Sequence, residues 1–361
     1  MVSFRLGGTD GVSIVADTWI SALHRLGYEV RTIAGEGEVD LCLPDLAIGR
    51  WPDGGAGLHG PGAATDAEID GLADQLRAAL ADVDLVIVEN LGSLPMNLPA
   101  AVAMARVCAG RPTVWHHHDL PWQRDRYADV TELPPQEVTP DLWWRHVTIN
   151  DLTRDEFTER SIPATTIRNG FDVRAPLGDR DGERQRLGFT DGELVMVHPV
   201  RAIERKNVPQ ALAIADRIGA TYWLTGPAEE DYADELERLL ADARRRGVRV
   251  VHEPSGSLAD MYAACDVVVF PSTWEGFGNP PIDAAIHRRP AIVGHYPVSE
   301  ELRGLGFEWF EPEHLEAFEA WMADPDPSLL DRNRAVVEST LSLESLDREL
   351  ADLLDGAGWR P

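Results

Sequence analysis

Short apolar runs alternating with helical spacing along the whole chain leave few folds open to it. In the first half the runs are Val2–Leu6, Glu29–Ala34, Leu85–Glu89, Thr113–His118, His146–Asn150 and Thr165–Arg168. In the second half they are Leu194–Pro199, Thr221–Thr225, Val248–His252, Val267–Phe270 and Ala291–Gly294. Strands separated by helices pair in parallel, so the pattern predicts an α/β fold. A chain of 361 residues outgrows a single core, and two domains are expected. Asn169-Gly170-Phe171-Asp172, followed by the polar stretch Gly178–Gly182, reads as the linker between them. Residues 51 to 66, rich in Gly, Pro and Ala, read as a surface loop.

In open parallel sheets ligands gather outside the carboxyl ends of the strands. There the first half places Glu89-Asn90, His118-Asp119 and Asn150-Asp151. The second half places Arg201, Gly226-Pro227, Glu253-Pro254, Glu275 and His295. The fullest of these segments is Ser272-Thr273-Trp274-Glu275-Gly276-Phe277-Gly278-Asn279-Pro280-Pro281-Ile282-Asp283. It sets one acid at a strand end, a glycine-flanked turn presenting backbone N–H groups, and a second acid eight positions on. Carboxylates grip paired hydroxyls and amides grip oxygens, which suits a polyhydroxylated ligand.

Upstream, Val200 to Pro209 reads VRAIERKNVP. Strand, cationic loop and helix follow one another, with Asn207 placed as N-cap and Pro209 in the first turn. Arg201 and Lys206 beside a helix N-terminus make an anion site fit for a diphosphate. The amino-terminal loop Leu6-Gly7-Gly8-Thr9-Asp10-Gly11-Val12-Ser13 leads into another helix, and Trp115 to Trp122 reads WHHHDLPW. On a strand, His116 and His118 share a face and His117 points away. With no cysteine partner and no further histidine at ligand spacing, no metal is expected there.

The Glu275-to-Asp283 segment resembles the sugar-nucleotide motif of retaining GT-B glycosyltransferases of family 4. Arg201 and Lys206 match the spacing of that family's cationic loop, although Pro199-Val200 replaces its Gly-Arg opening and Asn207 stands where Gly is frequent. Gly27-Tyr28-Glu29-Val30 resembles the family's Gly-His-Glu-Val. The resemblance implies two facing Rossmann-like domains: residues 1–172 on the acceptor side and 173–338 on the donor side. Residues 339–361 would form a helix returning to the first domain, and Leu343, Leu346, Leu350, Leu353 and Leu354 have helical spacing. It implies retaining transfer of a hexose from a UDP- or GDP-linked donor to an acceptor hydroxyl, without a metal or other cofactor. Glu275 would bind sugar hydroxyls with the amides of Gly276, Phe277, Gly278 and Asn279, and Asp283, one methylene shorter than the usual Glu, would hold the ribose. Gly11 and Asp10 would lie at the donor phosphates, and His118 would contact the sugar near the reacting centre. Asp10, His118 and Asp119 are candidates for the acceptor side. A GT-B sugar-nucleotide epimerase, or a non-catalytic sugar-nucleotide-binding protein, would carry the same motifs.

Net charge is −28 and the isoelectric point near 4.7. Such a field repels nucleic acid and anionic membranes. No apolar run approaches the roughly 20 residues of a membrane span, so no stable insertion is expected. The acceptor is therefore expected to be small and soluble, with lipid-linked or polysaccharide acceptors as runners-up. A strand-like start with no signal pattern points to the cytoplasm. Cys42, Cys108 and Cys265 are widely spaced and are expected to be small buried residues. Nothing in the chain specifies an oligomeric state.

Overall fold

The computed structural model describes residues 1–8, 10–51, 62–124, 127, 143–174, 176–229 and 231–360. Of the loop expected over residues 51 to 66, residues 52–61 lie outside the described residues, as does Thr9 of the amino-terminal loop. The chain forms two compact units, Met1–Gly170 with Leu343–Pro361, and Phe171–Ser342.

The first unit carries β1 (Val2–Leu6), β2 (Ile33–Gly37), β3 (Leu41–Cys42), β4 (Val86–Glu89), β5 (Thr113–His117), β6 (Trp144–Thr148) and β7 (Ala164–Thr166). They pair in parallel in the order β3-β2-β1-β4-β5-β6-β7. The second unit carries β8 (Val195–His198), β9 (Thr221–Leu224), β10 (Val250–His252), β11 (Val267–Phe270) and β12 (Ala291–Val293), parallel in the order β10-β9-β8-β11-β12. Each order reverses once, between β1 and β4 and between β8 and β11. At such a reversal the connecting helices leave on opposite faces and open a crevice at the carboxyl ends.

Helices cover both faces of the first sheet, so its strands are apolar on both sides. Val86 and Val88 of β4 enter one core cluster with Leu72, Leu76 and Met104. Ile87 enters the other with Val15, Trp19 and Leu23 of the helix Gly11–Arg25. Each fully buried large side chain contributes about 1.5–3 kcal/mol. That second cluster also takes Leu346, Leu350 and Leu354 from the last helix, Leu343–Ala357, and Arg25 donates twice to Asp347 at 2.7 Å.

Two expectations shift. The second strand begins at Ile33, not Glu29, because pairing with β1 starts at Val2↔Ile33. Cys42 is exposed, since β3 is a two-residue edge strand. Cys108 and Cys265 are buried, and burial pushes both thiols up to about 12. No described helix is long and apolar enough to cross a membrane.

Candidate functional site

In the second unit the cationic loop and the Glu275 loop leave β8 and β11, the strands on either side of the reversal. After β8 the chain makes a 3₁₀ turn, Glu204–Lys206, and enters the helix Val208–Ile218. Asn207 joins them in the left-handed region (φ 53°, ψ 51°), and its side chain accepts from the Gln210 N–H at 3.4 Å. Asparagine tolerates that region better than other residues with a side chain, and so can replace a glycine here. The turn sets consecutive residues Arg205 and Lys206 against one acid. Arg205 Nη1 and Lys206 Nζ each donate to Glu275 at 2.6 Å, one to each carboxylate oxygen. The Thr273 N–H donates to the Arg205 carbonyl at 2.9 Å, which clips the two loops together.

Lys206 and Glu275 are both buried. Burial would raise the Glu275 carboxyl, but Lys206 and Arg205 beside it bring it below the usual range. Burial lowers the Lys206 ammonium to about 8, against the pull of Glu275. Two cations share one carboxylate, leaving a surplus positive charge in a largely water-free place. Arg201, which the sequence pairs with Lys206, instead donates to Glu229 at 2.6 Å with nearly half its side chain exposed. Arg205, which the sequence reading did not single out, is the arginine beside Glu275, placed there by the 3₁₀ turn.

The Glu275 loop ends at Gly278, N-cap of the helix Asn279–Ile286. Gly278 has φ 106°, and a Cβ there would lie 2.3 Å from the Tyr296 hydroxyl. Gly278→Ala should therefore cost about 3 kcal/mol and lower the melting temperature by roughly 5–10 °C in a calorimetric scan; an unchanged melt would refute the strain. Inside this helix Asp283 is half-buried, and its carboxylate has no hydrogen-bond or ion-pair partner among the described residues. Burial raises it to about 7.

In the first unit Asp10 is turned to capping duty. Its carboxylate accepts from the Val12 and Ser13 N–H groups and the Ser13 hydroxyl, and pairs with Arg5 at 3.0 Å. Gly11 opens the helix with nothing within 4 Å of where a Cβ would stand. His118 lies just beyond β5, buried, with Nε2 3.0 Å from the Glu89 carboxylate. His116 Nδ1 lies 2.8 Å from the same carboxylate, while His117 turns the other way to Ser93 and His146. Asp119 pairs with Arg124. Glu89, His116 and His118 thus form a buried group whose ligand atoms lie within 4.8 Å of one another, close enough to hold a metal ion. Sequence spacing did not bring Glu89 to the histidines; the β4–β5 register, Glu89↔His116, does.

Residues 200–320 match a family model described as glycosyl transferases group 1. The chain is 27% identical to the mannosylglucosylglycerate synthase of Petrotoga mobilis, over 85% of each protein. It is 25% identical to the synthase of the same name from Thermotoga maritima, over 86% of this chain and 83% of that one. Its fold resembles that of Anabaena Alr3699/HepE in complex with UDP and glucose (TM-score 0.75, 18% identity, 99% and 100% of the chains). It also resembles sucrose-phosphate synthase from Thermosynechococcus elongatus (0.69, 16%, 98% and 95%). Both sheets and their flanking helices have the GT-B architecture.

Proposed function

We propose that this chain, a GT-B glycosyltransferase whose residues 200–320 are of the group 1 family, transfers a hexose from a UDP- or GDP-linked donor to a small soluble acceptor, with retention and without a metal. The observation that carries this reading is the Arg205–Lys206–Glu275 cluster with an unpartnered carboxylate, Asp283, on the next helix. As the bond between the anomeric carbon and the diphosphate breaks, negative charge grows on the departing oxygen. Lys206 and Arg205, joined by Arg201 swung from Glu229, would stabilise it. A donor diphosphate would take over the cations, and Glu275 would then turn to the sugar hydroxyls with the amides of Gly276, Phe277, Gly278 and Asn279. Asp283 is assigned to the ribose hydroxyls, since its carboxylate has no partner among the described residues. His118 is assigned the contact to the transferred sugar, and Gly11 is assigned to the donor phosphates. Asp10 keeps a role only through the helix it caps.

The acceptor is proposed to be a sugar acid such as glucosylglycerate, because two relatives aligned over most of this chain are named for making mannosylglucosylglycerate. The site of action is proposed to be the cytoplasm. Thermal melting against UDP-, GDP- and ADP-hexoses in EDTA tests the donor reading, because a ligand of the native state raises the midpoint. One nucleotide series should raise it by several degrees, and glucosylglycerate should then be consumed with that donor. Silence across the panel, or a rise only when divalent metal is restored, would sink the reading.

A further inference from the structure

We propose that Glu89 is the positioning residue of His118, fixing which of its ring nitrogens is presented to the transferred sugar. The inference rests on the contact assigned to His118 above. Glu89 ends β4 with its side chain fully buried, yet it receives two imidazoles, His116 Nδ1 at 2.8 Å and His118 Nε2 at 3.0 Å. Two ring nitrogens at hydrogen-bond distance from one buried carboxyl fit a carboxylate that accepts from both. An ionised carboxylate only accepts hydrogen bonds. Each nitrogen facing it must therefore carry the proton, so neutral His118 is the Nε2–H tautomer and its lone pair sits on Nδ1.

The next residue grips the same histidine from the other side. Asn90, in the left-handed region at φ 55°, accepts from the His118 N–H through its side-chain oxygen at 3.2 Å. Ring and backbone of His118 are thus held by two neighbouring residues of one strand end. The two histidines differ in what remains of them. His116 is sealed: Trp19 stacks on it at 4.0 Å and its Nε2 is a buried atom with no partner among the described residues. His118 keeps 9% of its side chain accessible, and no described residue engages its Nδ1. The cluster presents one acceptor nitrogen, matched to a hydroxyl hydrogen of a sugar. A wrong tautomer would present an N–H there, and holding the correct one is worth several powers of ten in other histidine-dependent sites.

A double-mutant cycle and a spectrum test this. In the full chain labelled with ¹⁵N-histidine, two-bond ¹H–¹⁵N spectra should show His118 as the Nε2–H tautomer; the Nδ1–H form would overturn the inference. Glu89→Gln keeps the shape of the side chain but can accept from only one ring. It should lower kcat roughly 10²-fold with KM for the nucleotide hexose within about threefold. In a His118→Ala background the same change should cost less than about threefold, because residues acting as a unit are not additive. Equal losses in both backgrounds would mean that Glu89 merely supports the fold, and would overturn the proposal. So would one zinc ion retained per chain after incubation with zinc and gel filtration, since a bound metal replaces the protons on which the argument stands. If His118→Ala alone leaves kcat unchanged while the spectrum shows the Nε2–H tautomer, the geometry stands and the sugar contact assigned to His118 falls.

Discussion

Exchanging Lys206 for methionine should lower kcat by roughly 10²–10³-fold while the melting temperature moves by only a few degrees. Methionine fills the space of the lysine stem, so no cavity opens. What disappears is the surplus charge: Arg205 and Glu275 would neutralise each other, leaving nothing extra for a departing diphosphate. Arg205→Met should cost less, because that side chain is the more accessible of the two cations. The same ammonium gives a pH signature. In the folded chain it titrates near 8 rather than its ordinary 10.5, because burial opposes its charge. Folding therefore weakens its hold on the proton; the charged form opposes folding at neutral pH, and that opposition fades between about 8 and 10.5. Donor affinity should fall as pH rises past 8, more steeply in the wild type than in Lys206→Met. Parallel profiles for the two proteins would show that Lys206 does not meet the diphosphate.

Asp283→Asn should stabilise the protein and at the same time weaken nucleotide binding. The Asp283 carboxyl is raised to about 7 by burial. The folded state thus holds its proton more tightly than the unfolded one. The group favours folding at acidic pH and loses that contribution as pH climbs from about 4 through 7. At pH 8 it is a half-buried charge without a partner among the described residues, and Asn removes the charge at nearly constant shape. We expect the melting temperature at pH 8 to rise by roughly 5 °C, and the gain to shrink as the pH is lowered toward 5. Affinity for the nucleotide series that stabilises the wild type should fall by about 10- to 100-fold, the worth of a charged hydrogen bond. A binding residue kept at the expense of stability has this signature. A lower melting temperature in Asp283→Asn would instead mark the carboxylate as structural.

The architecture was legible because buried parallel strands write themselves as apolar runs: β11, Val267–Phe270, lies where its four large residues put it. Lys206, Glu275 and the Asn207 cap were legible for a similar reason, each sitting at a fixed offset from such a run. Arg201 was named and Arg205 passed over because loop spacing does not encode which way a 3₁₀ turn aims consecutive side chains. Asp10 read as a ligand residue, and the structure spends it on two backbone N–H groups. Its remoter partner Arg5 gave no local signal. Glu89 stayed hidden as a partner of His116 and His118 because the contact spans 27 residues and depends on strand register, which pattern alone does not supply.

The composition of the first unit also dictates an order of events. Leu346, Leu350 and Leu354 complete the core that Val15 and Trp19 begin, yet they follow the whole of the second unit along the chain. On the ribosome, the amino-terminal sheet must wait with one apolar face only partly covered while Phe171–Ser342 is made. The second unit, continuous in sequence, is free to fold before the one that precedes it. For this molecule the unit proposed to bind the nucleotide is the part that can mature first, and the last helix acts as the closing step of synthesis.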